Sequence, residues 1–541
     1  MLKTTFFAVL CAAAAYGASV KIGDTTVIGL DIPTFEQEFF GGIPYAVPPL
    51  GDLRFRPPVL KTTLDGSTFN ATAYGPSCLQ VGFEPPLVSE DCLSVNVLRP
   101  AGLSADAGLP VMLWVYGGGF DSGGSVLYNG SGIVLESVLR GTPVIFASLN
   151  YRLGPLGFLQ GKEAGDNGAL NLGIRDELAA IEWIHTNIGL FGGDKDKITV
   201  FGESAGAIIT SILFLNSPIA DFARAAIFES GSQAASPLFL ADRNEIDWQH
   251  FVANVESCSD LAKSGSTFAC LRKASSAELL IGLNAAFNET EKEFPWQPLI
   301  DGPGGLIPEL PSALFKKGQF TKLPFISGTN LDEGTLFTNT AVNGEANVFD
   351  IVFTNFTPSF VSEPALKTGV NKLLEMYYPD IPALGSPFGT GNDTFGLAPE
   401  FKQLAAIFGD TSFVALRREW MGAAAGAGVP TFGYLFTEPV PGNPPYLGVF
   451  HSTEIDFVYG APPNTTSGFA LSQAMMNYWI SFADSLTPND GLGVPRPAWT
   501  QWTPKDQAVI QLNGDNLTMI PDTFRIKQTD FINSNPTLWN H

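Results

Sequence analysis

Residues 197–214 read KITVFGESAGAIITSILF, an apolar run, a serine flanked by glycines, and a second apolar run. The first run predicts a buried strand and the second a helix, with a sharp turn at Ser204 between them. Such a turn lifts the serine hydroxyl above a sheet, where a base and a carbonyl carbon can both reach it. The alternative is a helix N-cap serine beside packing glycines. Because strand and helix lie on either side, the pattern favours Ser204 as a nucleophile.

A glycine-rich segment lies upstream of this turn. Residues 116–120, YGGGF, directly follow the predicted strand VMLWV at 111–115. Consecutive glycines after a strand can form a simple flexible turn. They can also bring bare N–H groups close to a developing alkoxide, as an oxyanion hole does. Together with the serine turn, the segment predicts an oxyanion hole whose donors are the N–H groups of Gly118, Gly119 and Ala205.

The general base is found by elimination among the four histidines. His541 ends the sequence and is expected to fray. His185 lies in a helical stretch before Ser204, and His250 follows that serine too closely to leave room for a strand and an acid. His451 lies late in the sequence after Gly and Pro punctuation, which suits the order serine, acid, histidine of this sheet architecture.

The acid should lie between the serine and the histidine, on a loop after a strand. Residues 323–337, LPFISGTNLDEGTLF, supply such a strand and a turn that carries Asp332 and Glu333. Adjacent carboxylates in a Gly-containing loop are often only surface turn residues. The pattern itself does not choose between the two.

Short apolar runs alternate with helical patterns through most of the sequence. Further strands are predicted at 144–150 and 223–230, and a helix at 173–187. This alternation indicates an α/β fold, with a central, mostly parallel, twisted sheet and helices on both faces. Residues 340–425, rich in Phe, Pro and Gly, are expected to form helices and loops that cap the sheet.

Residues 1–17, MLKTTFFAVLCAAAAYG, have one Lys, an apolar run and then small residues. This layout is typical of a secretory signal peptide. A membrane anchor would need about 20 apolar residues, more than this run supplies. We therefore expect a secreted, extracellular protein whose residues 18–541 form a single domain, with no later segment that spans a membrane.

The composition indicates a large soluble globule. Hydrophobic residues make up 45% of the 541 residues and charged residues 15%, and the formal net charge is −23. Disorder is therefore not expected. A negative field of this size repels nucleic acid and anionic membranes, so neither is an expected partner. Neither the substrate nor the oligomeric state follows from the charge.

The cysteines outside the signal peptide form an even set, as is usual in an oxidising compartment. We predict the pairs Cys78–Cys92 and Cys258–Cys270 because each closes a short loop, worth roughly 3 kcal/mol in the chain-entropy model. The spacings and the lack of a nearby His disfavour a zinc site. The sequence also has N-x-S/T sequons, candidate glycosylation sites, at Asn70, Asn129, Asn288, Asn355, Asn392, Asn464 and Asn516.

Seven stretches together resemble the type-B carboxylesterase/lipase family, which includes fungal lipases and cholinesterases. They are GIPYAVPPLGDLRFRPP (42–58), SEDCLSVNV (89–97), VYGGGF (115–120), LNYRLGPLGF (149–158), NLGIRDELAAIEWIHTNIGLFGGDKDKITVFGESAGA (171–207), GTNLDEGTLF (328–337) and FHSTEIDFVYG (450–460). The resemblance implies the α/β-hydrolase fold and a carboxylic ester substrate, with no metal or organic cofactor. It assigns the acid to Glu333, the base to His451 and oxyanion donors to Gly118 and Gly119, and both predicted disulfides match the family.

The resemblance also bears on the substrate. The family's lipases carry a long flap within the first disulfide loop, whereas residues 79–91 are short for such a lid. The loop has no Trp for a choline cation. We therefore favour a carboxylesterase with an open pocket, lined in part by Phe294 and Trp296. A triacylglycerol lipase or sterol esterase, a feruloyl-type esterase and a non-catalytic binding protein stay as alternatives.

Overall fold

A computed structural model describes residues 17–290 and 292–541. The predicted signal peptide, apart from Gly17, lies outside the described residues. Within them, sixteen strands form an eleven-stranded main sheet and two small sheets of three and two strands. The strands are β1 (Ser19–Ile22), β2 (Thr25–Ile28), β3 (Leu30–Ile32), β4 (Gln37–Pro44), β5 (Thr68–Asn70), β6 (Ser77–Cys78), β7 (Val88–Ser89), β8 (Ser94–Pro100), β9 (Leu109–Val115), β10 (Ile145–Leu149), β11 (Gly193–Glu203), β12 (Ala225–Glu229), β13 (Phe325–Asn330), β14 (Thr431–Phe436), β15 (Ala508–Leu512) and β16 (Thr518–Pro521).

Helices occupy most of the connections between these strands. They are α1 (Ser131–Leu139), α2 (Gly154–Gly157), α3 (Lys162–Asp166), α4 (Leu172–Asn187), α5 (Ala205–Asn216), α6 (Glu245–Ala253), α7 (Phe268–Leu271), α8 (Ser276–Glu289), α9 (Pro311–Lys317), α10 (Glu345–Phe356), α11 (Glu363–Leu374), α12 (Pro399–Gly409), α13 (Ala415–Gly426), α14 (Ile455–Val458), α15 (Thr466–Ser485), α16 (Ile526–Asn533) and α17 (Pro536–Trp539). In the part of the chain that is described, no helix has the length and apolarity that crossing a bilayer requires.

The main sheet has the order β16-β15-β14-β13-β12-β11-β9-β10-β8-β4-β3. Its centre, from β10 through β9 and β11 to β15, is parallel, and both edges are antiparallel. The central strands are almost continuously buried, as parallel strands covered on both faces must be. The predicted α/β-hydrolase architecture, a mostly parallel sheet with helices, is confirmed.

The helices cover the central strands in two groups. α4 and α5 pack together against β11, and α1 and α15 pack together against the same central part of the sheet. The loops that follow the parallel strands all emerge at one edge of the sheet. In such folds, side chains that act on a ligand gather at this edge.

Residues 340–425 form α10, α11, α12 and α13, which agrees with the predicted helical cap. Their apolar faces make a second hydrophobic cluster, which includes Val348, Phe356 and Phe401 and also takes in Trp539 near the end of the chain. The predicted fraying of His541 is wrong. That residue is only 1% exposed, and its carbonyl oxygen accepts a hydrogen bond of 2.6 Å from the Ser312 hydroxyl.

Disulfide bonds join Cys78 to Cys92 and Cys258 to Cys270. Among the sequons, the Asn355 side chain is half-buried, and it donates a 2.9 Å hydrogen bond to the Ile351 carbonyl. The asparagines of the other sequons are exposed. An oligosaccharide would therefore meet solvent at every sequon except the one at Asn355.

Candidate active site

Ser204 lies at the sharp turn between β11 and α5. Its backbone has φ 53° and ψ −127°, a strained conformation for a residue with a side chain. Its N–H donates to the Glu229 carbonyl at 2.9 Å, and its carbonyl accepts from the Ile208 N–H at 2.9 Å. A Cβ at Gly206 would come within 2.1 Å of the Val115 carbonyl oxygen, so this position requires glycine. Contacts with Glu229 at the end of β12 and with Val115 at the end of β9 therefore fix the turn. The turn presents the serine side chain outward.

The glycine segment after β9 lies directly against this turn. A Cβ at Gly117 would stand 2.8 Å from the Ser204 Cβ. Gly118 and Gly119 have φ of +110° and +63°, conformations that a side chain would strain. Within the described residues, the N–H groups of Gly118, Gly119 and Ala205 donate to no protein acceptor. Three free donors beside the serine suit an oxyanion.

Glu333 follows β13 and is 1% exposed. Its Oε2 lies 2.6 Å from His451 Nδ1. Its Oε1 accepts two further hydrogen bonds of 2.6 Å, from the Ser230 hydroxyl and the Asn330 N–H. These contacts hold the carboxylate of Glu333 in place and fix the orientation of the imidazole. Sequence reasoning missed Ser230, and its position directly after β12 was the signal that could have pointed to it.

Asp332 faces away from the histidine and joins three loops. Its Oδ1 accepts from the Ser386 hydroxyl at 2.9 Å and from the Phe388 N–H at 2.8 Å. Its Oδ2 accepts from the Val449 N–H at 2.9 Å, two residues before His451. Burial raises the pKa of Asp332 to about 6. The two adjacent carboxylates therefore have different positions, and only that of Glu333 contacts the imidazole.

His451 is 3% exposed and its ring lies between aromatic side chains. The ring centroids of Phe337 and Phe413 are 5.0 and 4.8 Å from its own. Its Nε2 lies 3.2 Å from Glu203 Oε1, and across the described part of the chain this nitrogen makes no hydrogen bond. The imidazole thus stands between two carboxylates, those of Glu203 and Glu333.

The surrounding charges favour the protonated imidazole. Burial lowers the pKa of His451, but the carboxylates of Glu203 and Glu333 raise it more, and the balance is a pKa of about 9. Glu454 lies close to both carboxylates, and its Oε2 accepts from Asn330 Nδ2 at 2.5 Å. Burial and these negative neighbours raise the pKa of Glu454 to about 8. The site therefore stabilises a positive charge on the histidine.

Ser204 opens on a small apolar pocket with a cavity volume of about 20 Å³. The pocket is lined by Gly119, Phe120, Ala205, Ile208, Ala235, Ser236, Phe294, Phe337, Phe408, Ser412 and Phe413 in addition to the serine. Phe337 and Phe413 also contact the His451 ring, so the serine and the imidazole adjoin the same aromatic walls. The described atoms include no hydrogen bond between them. In unliganded sites such bonds are often long and shorten only with substrate bound.

The structure separates the two predicted substrate-binding residues. Phe294 lines the pocket, and a Cβ at Gly119 would stand 3.2 Å from its ring. Trp296 does not line the pocket: it is 1% exposed and packs edge-on against Phe251, with ring centroids 6.2 Å apart. Trp296 is therefore a core residue, and this correction removes it from the candidate site.

The first disulfide loop is fixed beside the glycine segment. Gln80 Nε2 donates to the Gly123 carbonyl at 2.7 Å, and Gln80 Oε1 accepts from the Gly123 N–H at 2.8 Å. Farther along the loop, Phe83 is 43% exposed and Leu87 is 65% exposed. The part of the loop near the oxyanion donors is therefore anchored by hydrogen bonds, and its outer part is apolar.

The chain is similar to known proteins along nearly its whole length. The sequence profile of the carboxylesterase family matches residues 17–532. The chain is 34% identical to lipase 2 of Diutina rugosa, over 97% of this chain and 97% of that protein. It is 33% identical to secreted lipase 1 of Botryotinia fuckeliana, over 97% of this chain and 93% of that protein. The crystal structure of EstA from Aspergillus niger is similar with a TM-score of 0.83 and 25% identity, and covers 97% of this chain and 99% of that one.

Proposed function

The chain belongs to the carboxylesterase family, and from this premise we propose that it cleaves esters through an acyl-enzyme on Ser204, with His451 as base and Glu333 as acid. Family membership makes the chain a carboxylic ester hydrolase. The assignment of these residues is supported above all by one observation. The Glu333 carboxylate holds the imidazole at 2.6 Å beside the aromatic pocket that the serine enters.

The proposed reaction begins when His451 takes the proton of Ser204 as the hydroxyl attacks the ester carbonyl. Glu333 orients the imidazole and stabilises the imidazolium without taking the proton. The free N–H groups of Gly118, Gly119 and Ala205 bind the oxyanion. His451 then protonates the leaving alcohol, and water releases the acid by the same route.

Glu203 adds to this electrostatic arrangement. Its carboxylate stabilises the imidazolium that forms during attack, since it lies 3.2 Å from His451 Nε2. The same charge holds a proton on the resting base, so activity rises only as the pH approaches the pKa of the histidine. Glu203 therefore stabilises the transition state, but it lowers the fraction of His451 that is neutral and able to take the proton of Ser204.

We favour an esterase that acts on apolar carboxylic esters, because five Phe side chains line the pocket beside Ser204. A lipase is the second candidate. It is supported by the two relatives named as lipases and by the exposed Phe83 and Leu87 on the disulfide loop, which could meet an ester aggregate. Export of the protein is likewise a proposal, supported by the relative named as secreted and by the two disulfides.

The experiment that tests this proposal combines turnover with covalent labelling. The purified protein should hydrolyse p-nitrophenyl butyrate and should be labelled at Ser204 by an organophosphonate. Ser204→Ala should keep the fold, as judged by circular dichroism, and should lose both turnover and label. Turnover by the Ala variant, or label on another residue, would refute the assignment. A rise in rate above the solubility limit of the ester would favour the lipase candidate.

A further inference from the structure

We propose that Asp410 is a positioning residue for the reaction. It holds a single π-helical turn, Asp410–Val414, whose Phe413 ring packs against the His451 imidazole. This inference rests on the proposed roles of His451 and Glu333, because Asp410 acts through them and does not line the pocket beside the serine.

The turn is an irregular segment within a long helix. Residues Asp410–Val414 lie directly between α12 and α13 and are π-helical. The N–H of Ala415 donates to the Asp410 carbonyl, five residues back, where an α-helix would use the carbonyl four residues back. Such turns are rare and occur mostly at functional sites. They persist only where the surrounding structure holds them in place.

The π-turn supplies a wall to the proposed base. The ring centroid of Phe413 lies 4.8 Å from that of His451 and 5.8 Å from that of Phe337. Phe413 and Ser412 also line the pocket beside Ser204. Successive side chains of an α-helix differ in direction by about 100°. Loss of the extra residue in this turn would therefore carry Phe413 away from the imidazole.

The helix contacts the proposed acid just before the π-turn begins. A Cβ at Gly334 would stand 2.5 Å from the Gly409 nitrogen, and a Cβ at Gly409 would stand 3.6 Å from the Glu333 Cβ. The end of α12 therefore lies directly against the backbone of the acid. The segment that follows Gly409 runs from the acid to the base, so a shift of this segment moves both.

Asp410 is fixed at both of its carboxylate oxygens. Arg525 donates to Oδ2 from Nε at 2.7 Å and to Oδ1 from Nη2 at 2.6 Å. The Tyr377 hydroxyl donates to Oδ2 at 2.7 Å. Asp410 is fully buried, and a two-point contact between arginine and a carboxylate defines direction as well as distance. This grip holds the start of the π-turn.

The same guanidinium reaches the loop that carries the histidine. Arg525 lies 3.9 Å from the centroid of the Phe388 ring, as in a cation–π contact. The Phe388 N–H donates to Asp332, which also accepts from the Val449 N–H, two residues before His451. Arg525 therefore joins the π-turn to the support of the histidine loop, and Asp410 is the carboxylate that holds it there.

The test compares single and double variants in turnover of p-nitrophenyl butyrate. Asp410→Asn keeps the shape of the side chain, but its single amide oxygen cannot accept at both positions. It should lower kcat about tenfold with little change in KM, since the imidazole and not the ester loses support. Phe413→Leu should lower kcat similarly. The double variant should be no slower than the slower single variant, because both changes act through one contact.

Asp490→Asn is the matched control. It removes the charge of another aspartate that is paired with arginines, Arg140 and Arg496, and it does not line the pocket beside the serine. Its kcat should equal that of the wild type. A purely structural role of Asp410 would lower stability in the same way as this control and would leave kcat of the folded protein unchanged.

A second readout does not depend on turnover. The proton between His451 Nδ1 and Glu333 Oε2, 2.6 Å apart, should give a far-downfield proton resonance that is absent in His451→Ala. Asp410→Asn should shift or broaden this resonance, and Asp490→Asn should leave it unchanged. If Asp410→Asn does not fold, Arg525→Lys, which keeps the charge and loses the two-point contact, takes its place with the same expected results.

An unchanged kcat in the folded Asp410→Asn variant would overturn the inference. A double variant in which the two losses multiply, to roughly 100-fold, would overturn it as well, because the changes would then be independent. If the wild type hydrolysed no ester, the proposed function would fail separately. The resonance of His451 would still decide, and an unshifted line in Asp410→Asn would refute the positioning role.

Discussion

Replacing Asp332 tests whether the acid and histidine loops are held together by the carboxylate that does not contact the imidazole. In Asp332→Ala, the N–H groups of Phe388 and Val449 lose their acceptor, as does the Ser386 hydroxyl. A buried donor left unpaired costs about 1–3 kcal/mol. The hydroxyl can rotate to another acceptor and the two amides cannot. We therefore expect a loss of about 2–6 kcal/mol in the free energy of unfolding.

The same change should slow turnover of the folded protein. Val449 lies two residues before His451, so release of its N–H lets the imidazole move relative to Ser204. We expect kcat for p-nitrophenyl butyrate to fall about 10- to 100-fold, because a small misplacement of a catalytic group has this effect. Glu333→Gln should fall further, by roughly 10⁴-fold, since it removes the charge that contacts the imidazole.

Urea unfolding followed by tryptophan fluorescence measures the first effect, and butyrate turnover at low temperature measures the second. Asp332→Asn should lie between wild type and Ala in both, since its single amide oxygen can serve only one of the two positions. Asp515→Ala, a change at an exposed aspartate, is the control and should be neutral. If Asp332→Ala unfolded within about 0.5 kcal/mol of the wild type and kept its kcat, the proposed linkage of the loops would be wrong.

Three further expectations follow from the same geometry. Glu203→Gln removes a charge that stabilises the imidazolium, so the acidic limb of the kcat/KM–pH profile, expected near pH 9 from the pKa of His451, should move to lower pH; an unmoved or rising limb would contradict the electrostatic role. Ser230→Ala removes one hydrogen bond to Glu333 and should lower kcat about tenfold with little change in KM, whereas Ser230→Thr should restore part of it; equal kcat in wild type and Ala would show that the bond does not orient the acid. Asn355 should carry no glycan, because its side-chain amide is bonded and half-buried, whereas the exposed sequons can be occupied; a glycopeptide at Asn355 in a mass spectrum would disprove this.

The sequence was most informative where the local pattern decides the structure. The turn at Ser204 needs glycine beside it because the backbone of β9 approaches so closely, and the sequence displays that requirement directly. Long apolar runs likewise revealed the central strands. The antiparallel edge strands, such as β3 with three residues, are too short to give a readable alternation.

Other features depend on contacts between distant residues. Asp332 and Glu333 are chemically alike within their loop, and they differ only in partners far along the chain, His451 for one and Val449 for the other. No local pattern could choose between them, and the family resemblance did. Burial of His541 depends on Ser312, more than two hundred residues away, so a rule for chain ends misjudged it. Trp296 was assigned together with Phe294 because FPWQPLIDG falls near the family's acyl pocket, and this placement does not determine where each side chain points.

The clamp between Gln80 and Gly123 has a consequence for engineering. An attempt to graft a longer flap onto this scaffold would have to leave that amide pair untouched, since it anchors the segment that follows the glycine donors. Additional residues inserted after Gln80 and before β7 would extend outward from the hydrogen-bonded Gln80. A flap of a different length could then be built while the glycine segment and the Ser204 turn beneath it kept their conformation.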